Sequence, residues 1–451
     1  MPSGSEPDDG AVICVDFGST FTKASLVDLA AGRIVAAAEH RTTIDTDVLD
    51  GYDACLAALA EQDDRATGAD VLACSSAGGG LRIAVVGAEE LVTAEAGRRV
   101  ALSSGGKVVQ VVAAASTRLL LTGGSTLDAD VVLLTGGTDG GNTEVIVEAA
   151  RDLVASGWER PVVVAGNVDA RDEIEQILSG VPHVFADNCV PRIGVLAPDS
   201  ARRAVREVFL SHVIGGKHLS SRADFTAMVR GATPDVVLTG VELLAEVVGE
   251  VVVVDVGGAT TDVHSVVELD PETAELARDV VAPTPVTRTV EGDLGMRWSA
   301  ISTAEAAGLD ELAEAAAARR KDPGFLPVSE QDLDDDEAIA RAAVGLALRR
   351  HAGRSKVVVS PEGRVVERSG VDLREVGLVV GSGGVLRHGR DGVADRVLGP
   401  GVQRDGDWQL PERARVVVDT EYVLAAAGLL AAEDPDAAKR LVRSLVDTLT
   451  K

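Results

Sequence analysis

The 451-residue sequence predicts an α/β protein built from two related halves, on three observations. Short apolar, β-branched runs recur along the chain and end in Gly, Asp or Thr. Helix-like stretches rich in Ala, Leu, Glu and Arg separate many of them. One phrase also occurs twice, as VICVDFGSTFTK at 12–23 and as VVVVDVGGATTD at 251–262.

The apolar runs lie at 11–15, 83–87, 131–135, 161–165, 251–255 and 377–381, and the helical patterns at 143–155, 201–212, 303–320 and 336–350. Buried strands alternating with amphipathic helices imply mainly parallel sheets. The repeat departs from that rule. After Asp16 a Gly/Ser/Thr turn leads directly into KASLVD at 23–28 and then RIVAAA at 33–38, an antiparallel meander with no crossover. The same pattern follows Asp255. Each sheet is therefore expected to be mixed, opening on a hairpin and continuing in βα units. Residues 321–336 carry Pro, Gly and a run of acids and read as an exposed connection with a solvated acidic surface. The segment 421–450 reads as helical, broken near 433–436. These limits predict a disordered extension at 1–10, a first lobe at 11–249 with insertions, a second at 250–430 and a terminal helix at 431–451.

Composition narrows the function. A hydrophobic fraction of 46% with only 2% aromatics predicts cores of Val, Leu, Ala and Ile. The formal net charge of −28 argues against a nucleic-acid partner, since a polyanion is repelled by such a surface. Cys14, Cys55, Cys74 and Cys189 are widely spaced and form no CxxC pair, so neither a disulfide framework nor a zinc site is expected. The polar, acidic N-terminus does not read as a signal peptide, and the valine runs are too short to span a bilayer. A soluble, cytoplasmic protein with no membrane partner is the expectation.

The repeat carries the chemistry. Asp16 aligns with Asp255, Gly18 with Gly257 and Thr22 with Thr261. A tight glycine hairpin can aim several backbone N–H groups into one concavity that binds phosphate oxygens. Gly18, Gly257 and Gly258 would admit the anion, and Ser19, Thr20, Thr22, Thr260 and Thr261 would add hydroxyl donors, with Lys23 as the cation beyond the first turn. A carboxylate facing a triphosphate needs a cation between them. Asp16 and Asp255 are therefore candidate Mg²⁺ ligands, direct or through water, and candidate catalytic groups. An ordinary pair of hairpins, with Gly for turn geometry and Asp for its own hydrogen bond, is the competing account, and the matched register disfavours it. A third strand-and-glycine phrase, LVVGSGGVLRH at 378–388, can bring the bare backbone of Gly381, Ser382, Gly383 and Gly384 against an adenosine.

Taken together, DFGSTFTK, DVGGATTD and VVGSGGVL resemble the two phosphate loops and the adenosine motif of the actin, heat-shock chaperone and sugar kinase ATPase superfamily. That resemblance implies duplicated, ribonuclease H-like lobes with Mg·ATP in the cleft between them. SSAGGGLRIAVVG (75–87), LVTAEAGRRVALSSGGKV (91–108), LLTGGTDGGN (133–142), VVAGNVDA (163–170) and VEGDLGMRW (290–298) narrow it: the chain resembles the glutamate mutase L accessory family across about 11–430. The family resemblance implies an ATP-dependent reactivating factor for an adenosylcobalamin-dependent mutase, hydrolysing ATP slowly. A small-molecule kinase of the same fold and a nucleotide-binding scaffold are the alternatives.

Other motifs stay open. Asp139 and Asn142 follow a buried strand, where Asp139 can orient an attacking water as a third candidate catalytic group or simply cap the next helix. Asn167 reads either way. Glu291, Asp293 and Arg297 line a ribose, bridge the lobes or form a plain salt bridge. The seven histidines show no metal-ligand spacing and read as structural.

Overall fold

The computed structural model describes residues 10–113, 127–268, 284–360 and 363–449, so the expected N-terminal extension lies outside the described residues except for Gly10. Strand β1 (Ala11–Phe17) turns into β2 (Phe21–Asp28) and β3 (Arg33–Arg41), followed by helix α1 (Val48–Gln62) and β4 (Asp70–Ser75). Next come β5 (Leu81–Gly87), α2 (Glu95–Ser103), β6 (Gly106–Ala113), β7 (Val131–Thr135), α3 (Glu144–Ala155), β8 (Val162–Val164) and β9 (His183–Phe185). Helix α4 (Asp199–Val208), β10 (Val229–Ala232) and α5 (Thr233–Val248) lead to β11 (Val251–Val256), β12 (Thr261–Val266) and β13 (Val286–Glu291). The remainder holds α6 (Ala300–Ala307), α7 (Ala313–Lys321), α8 (Glu330–Ala352) and the hairpin β14 (Ser355–Ser360) and β15 (Gly363–Arg368). It closes with β16 (Leu378–Ser382), α9 (Gly384–Arg387), β17 (Arg415–Val418), α10 (Val423–Leu430) and α11 (Pro435–Leu449).

Duplication is visible in the topology. One five-stranded sheet runs β3-β2-β1-β4-β10 and a second runs β13-β12-β11-β16-β17. In both, the first strand pairs antiparallel with the second and parallel with the fourth. This is the two-lobed, mixed-sheet α/β architecture that the repeat predicted.

The runs at 83–87, 131–135 and 161–165 do something else. They enter a third five-stranded sheet, entirely parallel, in the order β6-β5-β7-β8-β9. Its inner strands β5, β7 and β8 are buried on both faces, and such strands must be apolar throughout, so periodicity alone could not assign them to a separate sheet.

Two helix expectations need correction. The pattern at 303–320 is interrupted where Gly308, at φ +67°, ends α6, and α7 restarts at Ala313. The acidic run assigned to an exposed connection is mostly the start of α8. The Ser329 hydroxyl and the Asp332 carboxylate form a reciprocal capping box there, and acids in a first turn favour the positive end of the helix. Asp336 is buried and ion-paired to Arg319 at 2.5 Å and Arg297 at 3.0 Å. The break expected near 433–436 falls between α10 and α11.

One apolar cluster joins the lobes. Val12, Cys14, Leu72 and Cys74 of the first sheet and Val251, Val253, Val380 and Val417 of the second pack against α5, α10 and α11. There α5 and α10 cross at near-backbone contact. A Cβ on Gly240 would lie 2.0 Å from the Leu424 carbonyl oxygen, and one on Gly428 would lie 2.0 Å from that of Val236. Among the described residues no helix is long and apolar enough to cross a membrane.

Candidate functional site

The repeated phrases make equivalent turns. Gly18 N–H donates to the Phe21 carbonyl at 3.1 Å, and Gly257 N–H donates to the Thr260 carbonyl at 2.9 Å. A Cβ at Gly18 would come within 2.6 Å of Phe21 O, so the tight closure itself selects glycine. The tips meet: a Cβ on Gly258 would lie 3.4 Å from Thr20 Oγ1. Carbonyls of the second turn are occupied, with Gly257 O accepting from Met296 N–H and Gly258 O from Arg297 and Trp298 N–H. Among the described residues the N–H groups of Ser19, Thr20, Gly258 and Ala259 carry no hydrogen bond. Unpaired amides clustered at a turn are suited to an anion.

Behind the turns lie the acids. Asp16 sits directly opposite Lys23 across β1–β2, as Asp255 sits opposite Asp262 across β11–β12. The buried Asp16 carboxylate accepts from Thr233 Oγ1 at 2.6 Å and from the Tyr422 hydroxyl at 3.1 Å, and Lys23 Nζ stands 3.5 Å from its Oδ2. Lys23 Nζ also lies 4.0 Å from the centroid of the Tyr422 ring, a cation–π contact. Tyr422 is the residue after which α10 starts, and it holds a left-handed backbone at φ +61° to do so. Burial pushes the Asp255 carboxyl up to about 6; the Lys23 ammonium opposes the rise, while the Asp262 and Asp16 carboxylates add to it. Both repeat aspartates and the lysine are therefore near enough to act on one another through space.

Further residues close around them. Ser382, at the end of β16, is in register with Asp255 and hydrogen bonds to it. Gly383 follows at φ +106°, where a Cβ would be 2.2 Å from Val256 O, and α9 starts at Gly384. Gly381 packs under Leu386 and Leu398. The hydroxyls divide into three groups. Thr22 points inward, sharing a 3.2 Å hydrogen bond with Thr42, which itself donates to Gly18 O at 2.8 Å. Ser19 is exposed and Thr260 half-buried at the turns. Thr20 Oγ1, Thr261 Oγ1 and Asp262 Oδ1 are buried with no partner.

Those orphaned atoms test the fit of a metal–phosphate ligand, and the residues fit. Two carboxylates near a lysine, unpaired hydroxyls and free turn amides match a hydrated Mg²⁺ with phosphates. Among the described residues there is no group of three or more His, Cys, Asp or Glu that would build a closed metal cage, and Mg²⁺ needs none.

The structure gathers Asp16, Lys23, Asp255, Ser382 and both turns. Asp139 Oδ1 accepts from Asn188 Nδ2 at 2.9 Å and Val168 N–H at 3.3 Å, on the rim of the third sheet. Asn142 caps α3 through Val145 N–H at 3.1 Å, and Asn167 Oδ1 accepts from Asp169 N–H at 3.0 Å. Glu291 and Asp293 both pair with Arg350. Sequence reasoning missed Thr233, Tyr422 and Arg288. Arg288 is buried, bonds Asp262 at 2.7 Å and reaches the Leu102 carbonyl at 2.8 Å, tying the second sheet to α2. None of the three stands in a repeat, so no spacing signal marks them.

A protein-family model described as MutL protein matches residues 12–446. Protein MutL of Clostridium tetanomorphum is 35% identical over 457 residues, covering 96% of this chain and 98% of its own. Among solved structures, the diol dehydratase-reactivating factor in nucleotide-free form is similar at a TM-score of 0.37 and 12% identity, over 94% of this chain and 99% of that one. The activator of 2-hydroxyisocaproyl-CoA dehydratase from Clostridium difficile, with bound ADPNP, gives a TM-score of 0.31 and 11% identity, over 98% and 97%.

Proposed function

The chain belongs to the MutL protein family, and from that premise we propose that it is an ATP-dependent accessory factor that reactivates an adenosylcobalamin-dependent mutase of the glutamate mutase type. The observation that carries the nucleotide part is the meeting of two equivalent acid-and-glycine turns, one from each lobe, with Thr20 against Gly258. The partner part follows from the family.

In this reading the free amides of both turns bind the phosphates, and the Gly383 turn backs the adenosine. Mg²⁺, held by Asp16 and Asp255 directly or through water, neutralises phosphate charge when bound. Lys23 leaves the Asp16 carboxylate for a phosphate oxygen. Catalysis is then positioning rather than covalent chemistry, so hydrolysis is slow. Because each lobe supplies one turn, ligand favours the closed arrangement and its loss relaxes it. A two-state cleft of this kind can open a partner enzyme so that damaged cobalamin leaves and fresh cofactor enters.

The test is direct. Asp16→Ala and Asp255→Ala should each weaken Mg·ATP binding at least tenfold, measured by isothermal titration calorimetry. An inactivated cobalamin mutase given the wild-type chain, Mg·ATP and fresh cofactor should regain turnover. Unchanged affinity in both variants would end the nucleotide assignment, and no recovery would end the partner assignment.

A further inference from the structure

Large apolar side chains are exposed beside the second turn. Trp298 is 47% exposed, Ile301 40%, Leu326 64% and Val328 91%. A buried core of charge draws their two segments together: Arg297 donates to the Phe325 carbonyl at 3.2 Å and pairs with Asp336, while Arg319 lies over the Phe325 ring at 4.7 Å and shares Asp336. Arg320 covers the Trp298 ring at 5.0 Å. Contiguous exposed apolar surface on a soluble fold marks an interaction site.

Charge selects the partner. The chain carries a formal −28, yet the exposed cations Arg320 and Lys321 border this patch without an ion pair among the described residues. Arg41 joins them from the first lobe. It too is exposed and without an ion pair, and its guanidinium occupies the space beside Gly324, 2.6 Å from where a Cβ would stand. Cations on this apolar surface, Arg320 over Trp298 and Arg41 beside Gly324, complement an acidic, apolar segment.

The patch is also wired to the nucleotide turn, because the Trp298 and Arg297 amides both bond Gly258 O at 2.8 Å. A shift of that turn therefore moves Trp298 directly. We propose that the surface formed by Trp298, Ile301, Leu326 and Val328, with Arg320 and Lys321, docks an acidic, apolar segment of the partner enzyme and transmits the state of the second turn to it. The inference rests on the reading of the chain as a mutase accessory factor.

Two full-length double variants test it, Leu326→Ser/Val328→Ser and Arg320→Glu/Lys321→Glu, against purified adenosylcobalamin-dependent glutamate mutase. Both should bind Mg·ATP within twofold of wild type and lose at least tenfold in mutase affinity. The wild-type complex should weaken with added NaCl, as a charge-assisted interface does. Variants that bind mutase as wild type does overturn the proposal while leaving the nucleotide reading intact. Loss of Mg·ATP binding in both variants overturns it by making the patch a support for the turn. A wild-type dimer that both variants dissolve overturns it by assigning the patch to a second copy of this chain. A wild-type chain that binds mutase but not Mg·ATP sinks the nucleotide reading and leaves the docking result standing.

Discussion

Lys23 occupies the place of a counter-ion. Its ammonium stands 3.5 Å from Asp16 and acts through space on Asp255, so the two acids share one positive charge. Asp255 still titrates high, at about 6, because burial outweighs the lysine. The sign follows. The folded-state value lies above the usual carboxylate value of 3.8, so the folded chain takes up this proton first, and the strain of holding Asp255 ionised is relieved as pH falls through about 6. A cation-binding role needs the ionised form, whose fraction drops about tenfold between pH 7 and pH 5. Mg·nucleotide affinity should therefore weaken by up to about tenfold over that range. Asp255→Asn should be weak throughout and lack this component, which calorimetry at several pH values would show. A wild-type profile parallel to the variant's would contradict the role. Asp16, Asp255 and Lys23 were legible in the sequence because the repeat fixed their register. Tyr422 and Thr233 were not, since each reaches Asp16 from more than two hundred residues away and belongs to no repeated phrase.

At the scale of elements, the hairpins were readable because a glycine turn constrains its neighbours locally. Helix limits were less so. Gly308 ends α6 inside a continuous Ala-rich pattern, and acids that read as solvated surface serve as the first turns of α8. The α5–α10 crossing was invisible, since a glycine within a helix pattern looks like a local weakness. Only the opposing backbone explains it. Gly240→Ala offers a clean test, because two effects oppose. Alanine gains about 1 kcal/mol of helix propensity. Its Cβ, however, would meet the Leu424 carbonyl at 2.0 Å, a clash with backbone that no rotamer relieves. Overpacking of this kind costs about 1–3 kcal/mol, and the severity of the contact places the net effect on the destabilising side. Urea unfolding should show a lower midpoint at unchanged slope. A variant as stable as wild type would mean the helices slide apart without penalty.

For the molecule as a whole, the shared core along α5, α10 and α11 makes the lobes depend on each other, and the crevice exists only while both are folded. A ligand that bridges both turns should stabilise the chain against unfolding by about 2.7 kcal/mol at one hundred times its dissociation constant. Mg·ATP should raise the thermal midpoint of wild type and leave that of Asp16→Ala in place; an equal rise in both would deny that Asp16 contributes. The third sheet shows the limit of pattern reading. Its inner strands look like those of the lobes because burial on both faces demands the same valines, and pairing partners are written nowhere in a strand's own residues. By itself the sequence determined the α/β class, the duplication and the acid-and-glycine turns, since each is encoded in local spacing. Tertiary structure alone decided which strands share a sheet, that Asn188 and Val168 hold Asp139, and that Tyr422 and Thr233 hold Asp16, because those facts depend on contacts between distant segments.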